Sequence, residues 1–141
     1  MLWVPMKTLP DLLAFVDLVL APGFDIAGAQ KRLGTIKRWI GQLAYVDDVD
    51  PALRESAIET LDGKLCGVQV NLRTPLEISW SDLRSTLGES EERVQEVDNF
   101  GGRVTYRFKR EVAGAGGVIY IYAVRGQDPA RIEIVVVRPE R

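Results

Sequence analysis

The stretch "RVTYRFKREVAGAGGVIYIYAVRGQDPARIEIVVVRP", residues 103 to 139, decides the fold. Val104, Tyr106 and Phe108 alternate with Thr105, Arg107 and Lys109, the two-residue period of a strand that buries one face. In the next run Val118, Tyr120, Tyr122 and Val124 alternate with Ile119, Ile121 and Ala123, so both faces are apolar or aromatic and the strand is central. The third run is "RIEIVVVRP". The glycine-rich "VAGAGG" and the "GQDP" segment supply the turns between them. Short turns between consecutive strands make the pairing antiparallel.

Upstream, "AIETLDGKLCGVQVNL" (57–72) reads as a hairpin turning at Asp62-Gly63. "TIKRWIGQLAYV" (35–46) has Ile36, Trp39, Ile40 and Leu43 at helical spacing, but its β-branched and aromatic residues favour a strand. "DDVDPALRES" (47–56) reads as a loop or one helical turn, Thr74-Pro75 as a break, and Glu89 to Asp98 as a polar, acidic connection leading to the Gly101-Gly102 turn.

Helical signals lie between these runs. Thr8 and Asp11 open a helix over 9–21 in which Leu12, Leu13, Phe15, Val16, Val19 and Leu20 recur at helical spacing, and Pro22-Gly23 ends it. Asp25 caps a short helix carrying Ile26, Ala29 and Leu33 and stopped by Gly34. Ser79 caps another, with Trp80, Leu83 and Leu87 facing inward, Gly88 closing it, and Ile78 placed to staple onto Leu83. The two short helices match at one offset: Ile26, Ala29, Leu33 and Gly34 against Trp80, Leu83, Leu87 and Gly88. The expected fold is therefore α+β, an antiparallel sheet with short helices packed on one face. It reads as a single domain over 1–141, with two degenerate α-β-β-β units at 24–72 and 78–137 after an N-terminal helix.

Composition narrows the chemistry. At 141 residues the chain can bury a core without disulfides or a structural metal. A net charge of −2 disfavours nucleic acid as a partner, because phosphate-backbone binders need a dense cationic surface. No histidine is present, which removes Ser-His-Asp and Cys-His catalysis and the commonest metal ligand. The one cysteine, Cys66, lies in the apolar run "KLCGVQV" and is expected to be buried as a small hydrophobe. Asp11 and Asp17 interrupt the N-terminal apolar run, which is too short to span a bilayer, so no membrane insertion and a cytoplasmic location are expected.

Two glycine- or acid-rich motifs invite chemical readings. "DDVD" (Asp47, Asp48, Asp50) is the one dense carboxylate cluster, but it lacks the rest of an EF-hand loop and reads as a solvated acidic turn; no metal and no cofactor are expected. "VAGAGG" precedes a β-run rather than a helix and lacks the Gly-Lys-Ser/Thr of a phosphate cradle, so it reads as a hairpin loop.

A short helix ending in Leu-Gly, followed by a β-meander and then repeated ("IAGAQKRLG" and "WSDLRSTLG" with the strands after each), resembles the β-lactamase inhibitor protein. It is similar also to the small lipoprotein subunit of the outer-membrane β-barrel assembly machine, which has one such unit. The chain departs from both: it shows no lipoprotein signal, and Cys66 alone cannot supply the secreted inhibitor's paired cysteines. The resemblance implies a sheet-based binding protein, an architecture that also suits bacterial toxin-immunity proteins. The leading expectation is thus a non-catalytic immunity or inhibitor protein that neutralises a cognate toxin. A secretion-effector chaperone or adaptor is the alternative, and a small carboxylate-dependent enzyme or ligand-binding domain a further one.

The expected partner surface comprises Tyr120 and Tyr122 as aromatic anchors, Arg107 and Lys109 on the neighbouring strand, and Asp47 and Asp48 in an acidic loop that steers a cationic partner. The same tyrosines would serve equally as core residues whose hydroxyls reach the edge of the sheet.

Overall fold

The computed structural model describes residues 6–94, 103–112, 114–124 and 126–140. The elements run α1 (Leu9–Leu20), α2 (Ile26–Leu33), β1 (Ile36–Ile40), β2 (Leu43–Val46), β3 (Leu53–Leu61), β4 (Lys64–Ile78), α3 (Trp80–Leu87), β5 (Glu91–Val94), β6 (Arg103–Val112), β7 (Ala115–Val124) and β8 (Ala130–Pro139). The fold is α+β. One eight-stranded antiparallel sheet has the order β1-β2-β3-β4-β8-β7-β6-β5, with the helices on one side. Each short helix leads into four sequential strands, one more than an α-β-β-β pattern, and the two meanders join through their last strands, β4 and β8.

Helix boundaries follow the capping chemistry. The Thr8 hydroxyl accepts from the Asp11 N–H while the Asp11 carboxylate accepts from the Thr8 N–H, a reciprocal box at the start of α1. Asp25 and Ser79 cap α2 and α3 by accepting from Gly28 N–H and Asp82 N–H, at 2.8 and 3.1 Å. The inward face of α1 (Leu12, Phe15, Val16, Val19, Leu20) packs on β4, β7 and β8, and Arg110 of β6 fastens the helix by a two-pronged pair with Asp17, at 2.6 and 3.0 Å. α3 covers β6, where Trp80 and Tyr106 pack with ring centroids 4.5 Å apart and the indole N–H donates to Gln127 O. Leu83 is fully buried and Ile78 lies in the same core.

Several expectations change. "TIKRWIGQLAYV" is extended, but as two strands turning at Gly41-Gln42. β3 begins at Leu53, inside the segment read as a loop, and Thr74-Pro75 does not break the chain: β4 continues to Ile78. The irregularity between Asn71 and Leu76 is where proline's missing N–H is tolerated in a sheet. The polar connection after α3 contains β5, because a strand at the sheet's edge has no need of an alternating apolar face. The expected turn at Gly101-Gly102 lies outside the described residues.

Cys66 is exposed, not buried. Glu59 pairs with Gly67 and Thr60 with Leu65, so Cys66 is the extra residue of a β-bulge and its side chain leaves the alternation that would have buried it.

Candidate functional site

The strand parity that aims Phe108, Ile119, Ile121, Val135 and Val137 at the helices sends the residues between them to the opposite face. On that open face the register aligns one row across the sheet: Arg107 opposite Tyr120, Tyr120 opposite Val136, Val136 opposite Gln69, Gln69 opposite Ala57, Ala57 opposite Tyr45, and Tyr45 opposite Arg38. A second row joins Thr105, Tyr122, Ile134 and Asn71. Tyr120 and Tyr122 are half-buried, and Val136 and Thr105 beside them, like Ala57 beside Tyr45, are closed off although no helix of the described residues lies on this face. Their larger cross-strand neighbours shield them, leaving an aromatic surface rather than an aliphatic one.

The face is also charged. The Glu59 carboxylate accepts two hydrogen bonds from Arg138, at 2.8 and 3.0 Å, over Gly67, and the same guanidinium stands 5.1 Å from the Tyr120 ring centroid. The paired hydrogen bonds with Glu59 are the main reason that the Arg138 guanidinium holds its proton more tightly than usual; burial opposes this. Arg38 stacks 4.8 Å over Tyr45 in like manner. Lys109, opposite Val118, is exposed on the same face.

Beside Tyr122's row, irregular pairing in β3, β4 and β8 opens a notch of about 210 Å³ lined by Arg54, Glu55, Asn71, Glu133 and Ile134. Glu55 has a positive φ of 50°, the Asn71 amide donates to Glu55 O, and the Asn71 Oδ1 is buried without a hydrogen bond. Strain and an unsatisfied acceptor at one place are features that binding surfaces retain.

The predicted partner residues thus divide into two groups. Tyr120, Tyr122, Arg107 and Lys109 share the open face. Asp47 and Asp48 follow β2, four strand spacings from β7, which is roughly 19 Å. Nor is "DDVD" a merely solvated turn. Asp50 is buried, ion-paired with Arg32 at 3.3 Å and accepting from Ala52 N–H, while Asp48 accepts from Ser56 N–H. The loop must turn from β2 into β3 against the end of α2, and these carboxylates satisfy the backbone donors that the turn exposes. Asp47 remains exposed, 3.8 Å from Lys37. Among the described residues no three carboxylates or thiols converge as a cation site.

Sequence reasoning missed Tyr45, Gln69 and Arg138. Arg138 was accessible to it: in "IEIVVVR" the period of two places Ile134, Val136 and Arg138 on one face. Tyr45 and Gln69 required the strand order, which no local pattern carries.

No helix among the described residues is long and apolar enough to cross a membrane. No family model, curated protein or solved structure matches the chain.

Proposed function

We propose that the chain is a non-catalytic bacterial immunity or inhibitor protein that neutralises a cognate toxin by docking it on the open sheet face. The observation that carries this reading is the pair of half-buried tyrosines on β7, Tyr120 and Tyr122, on the sheet face opposite the helices. Rigid aromatic side chains on a sheet lose little conformational freedom on binding and make effective anchors. Arg107 and Lys109 on the neighbouring strand favour carboxylates on the toxin surface. Of the two aspartates expected to steer a cationic partner, Asp48 is engaged in holding its own loop and Asp47 is exposed beside Lys37.

The adaptor reading draws on a different feature, a groove of about 690 Å³ in which Met6, Pro51, Ala52, Pro75 and Leu76 supply apolar walls. It ranks second because Asp50, at the groove's edge, already has its ion-pair partner.

Capture from the native host, followed by co-expression, tests the proposal. The captured protein should arrest growth when expressed alone and be neutralised by this chain. Tyr122→Ala should lose protection and release the partner faster, with an unchanged melting curve. Normal protection by a folded Tyr120→Ala/Tyr122→Ala variant would place the docking surface elsewhere, and a non-toxic client bound as an unfolded segment would favour the adaptor.

A further inference from the structure

We propose that the free edge of β1 is a separate docking site, which takes an extended acidic segment of a protein partner as an additional strand of the sheet. β1 is the outermost strand on its side, and Lys37, Arg38, Trp39 and Ile40 are all exposed. Large apolar side chains gather at this corner. Trp39 is 54 % exposed, Ile40 57 %, and Leu61 54 % at the end of β3, which Thr60 ties to the β1–β2 turn through two bonds to Gln42 O. An edge strand presents a row of backbone donors and acceptors on its outer side, and the occupant matching such a row is another extended backbone.

Charge selects the kind of segment. Arg38 lies over the Tyr45 ring, and among the described residues no carboxylate comes within ion-pair reach of it. Lys37 reaches Asp47 only at 3.8 Å, with both side chains exposed. A carboxylate placed opposite Arg38 on an added strand therefore gains a cross-strand pair, while the apolar residues alternating with it lie on the other face and cover Trp39. A second copy of β1 is a poorer occupant, because two-fold antiparallel pairing about the middle of the strand sets Arg38 against Arg38. The proposal does not depend on the open-face reading, since a partner could use either surface without the other.

The test uses the full chain, isotopically labelled for amide spectroscopy, and a blocked short peptide alternating valine and glutamate. The amides of residues 36–40 should shift and gain protection from hydrogen exchange. A valine–lysine counterpart should bind at least about tenfold more weakly, and Arg38→Glu, exposed and harmless to folding, should invert that preference. N-methylation of the peptide's pairing amides should abolish binding. Equal affinity for the two peptides, shifts confined to Tyr120 and Tyr122, no binding at all, or a dimer in sedimentation that Trp39→Pro dissolves would each overturn the assignment.

Discussion

Glu59 and Arg138 meet over Gly67, the carboxylate of β3 reaching past β4 to the guanidinium of β8. A methyl group at position 67 would overlap Glu59 Oε1 and stand 3.0 Å from Arg138 Cγ. The glycine is therefore what allows an ion pair to span an intervening strand.

Gly67→Ala should consequently act by parting that pair. Glu59 can swing away, so the loss is that of a partly exposed, two-pronged pair, roughly 1 kcal/mol. In a Glu59→Gln background the same alanine should cost clearly less, because the pair is already gone. Denaturant melts of the two single variants and the double variant measure this coupling; strict additivity would mean that Gly67 serves something other than the pair.

Leu83 is fully buried where α3 packs on the sheet. Leu83→Ala should cost about 2–5 kcal/mol by leaving a cavity. A loss below about half a kcal/mol, the scale of ordinary surface substitutions, would remove α3 from the core.

The matching Leu-Gly endings of α2 and α3 separate what sequence discloses from what it conceals. Both glycines end helices with positive φ, 140° at Gly34 and 84° at Gly88, and a C-terminal glycine predicts that much. Of the two, it is at Gly34 that the chain returns: a Cβ there would fall on the Asp47 carbonyl, whereas a Cβ at Gly88 has no neighbour within 4 Å among the described residues. Gly88→Ala should cost about 1–2 kcal/mol from backbone strain alone. Gly34→Ala should cost well beyond that and shift the amide signals of residues 47–50; equal losses would refute the close approach.

The same contrast holds elsewhere. Alternation in 103–137 made those strands legible, and capping residues placed all three helices, because both signals are local. The β5 edge strand and the Cys66 bulge were not legible, since an edge strand needs no apolar alternation and a bulge is defined by its partner strand. The open-face tyrosines were read as a pair, but the row that joins Tyr120 to Gln69 and Tyr45 depends on β8 lying between β7 and β4.

Asp50 tests the correction to the acidic loop. Its carboxylate is 3 % exposed against Arg32, which also lies 5.6 Å from the Phe15 ring centroid, so Asp50→Ala removes one half of a largely buried ion pair. A loss of roughly 3 kcal/mol is expected. Asp47→Asn, at an exposed side chain, should change stability by less than about half a kcal/mol. Comparable small effects at both positions would restore the solvated turn.

Cys66 offers a chemical reading of the Glu59–Arg138 pair. Partial desolvation by its neighbours, followed by the nearby Glu59 carboxylate, pushes the exposed thiol's pKa up, and Arg138 partly offsets this. Alkylation proceeds through the thiolate, so a raised pKa lowers the reactive fraction at any pH below it. Iodoacetamide should therefore modify folded Cys66 more slowly at neutral pH than it modifies the unfolded chain, with the rate rising at higher pH than for an unperturbed thiol. Glu59→Gln removes the repelling charge and should move the pH–rate profile to lower pH. Arg138→Gln leaves Glu59 uncompensated and should move it to higher pH. Because the two substitutions break the same ion pair, loss of local order would shift both profiles alike. Opposite shifts identify electrostatics as the cause, whereas parallel shifts would show that the pair acts on Cys66 only by holding the bulge in place.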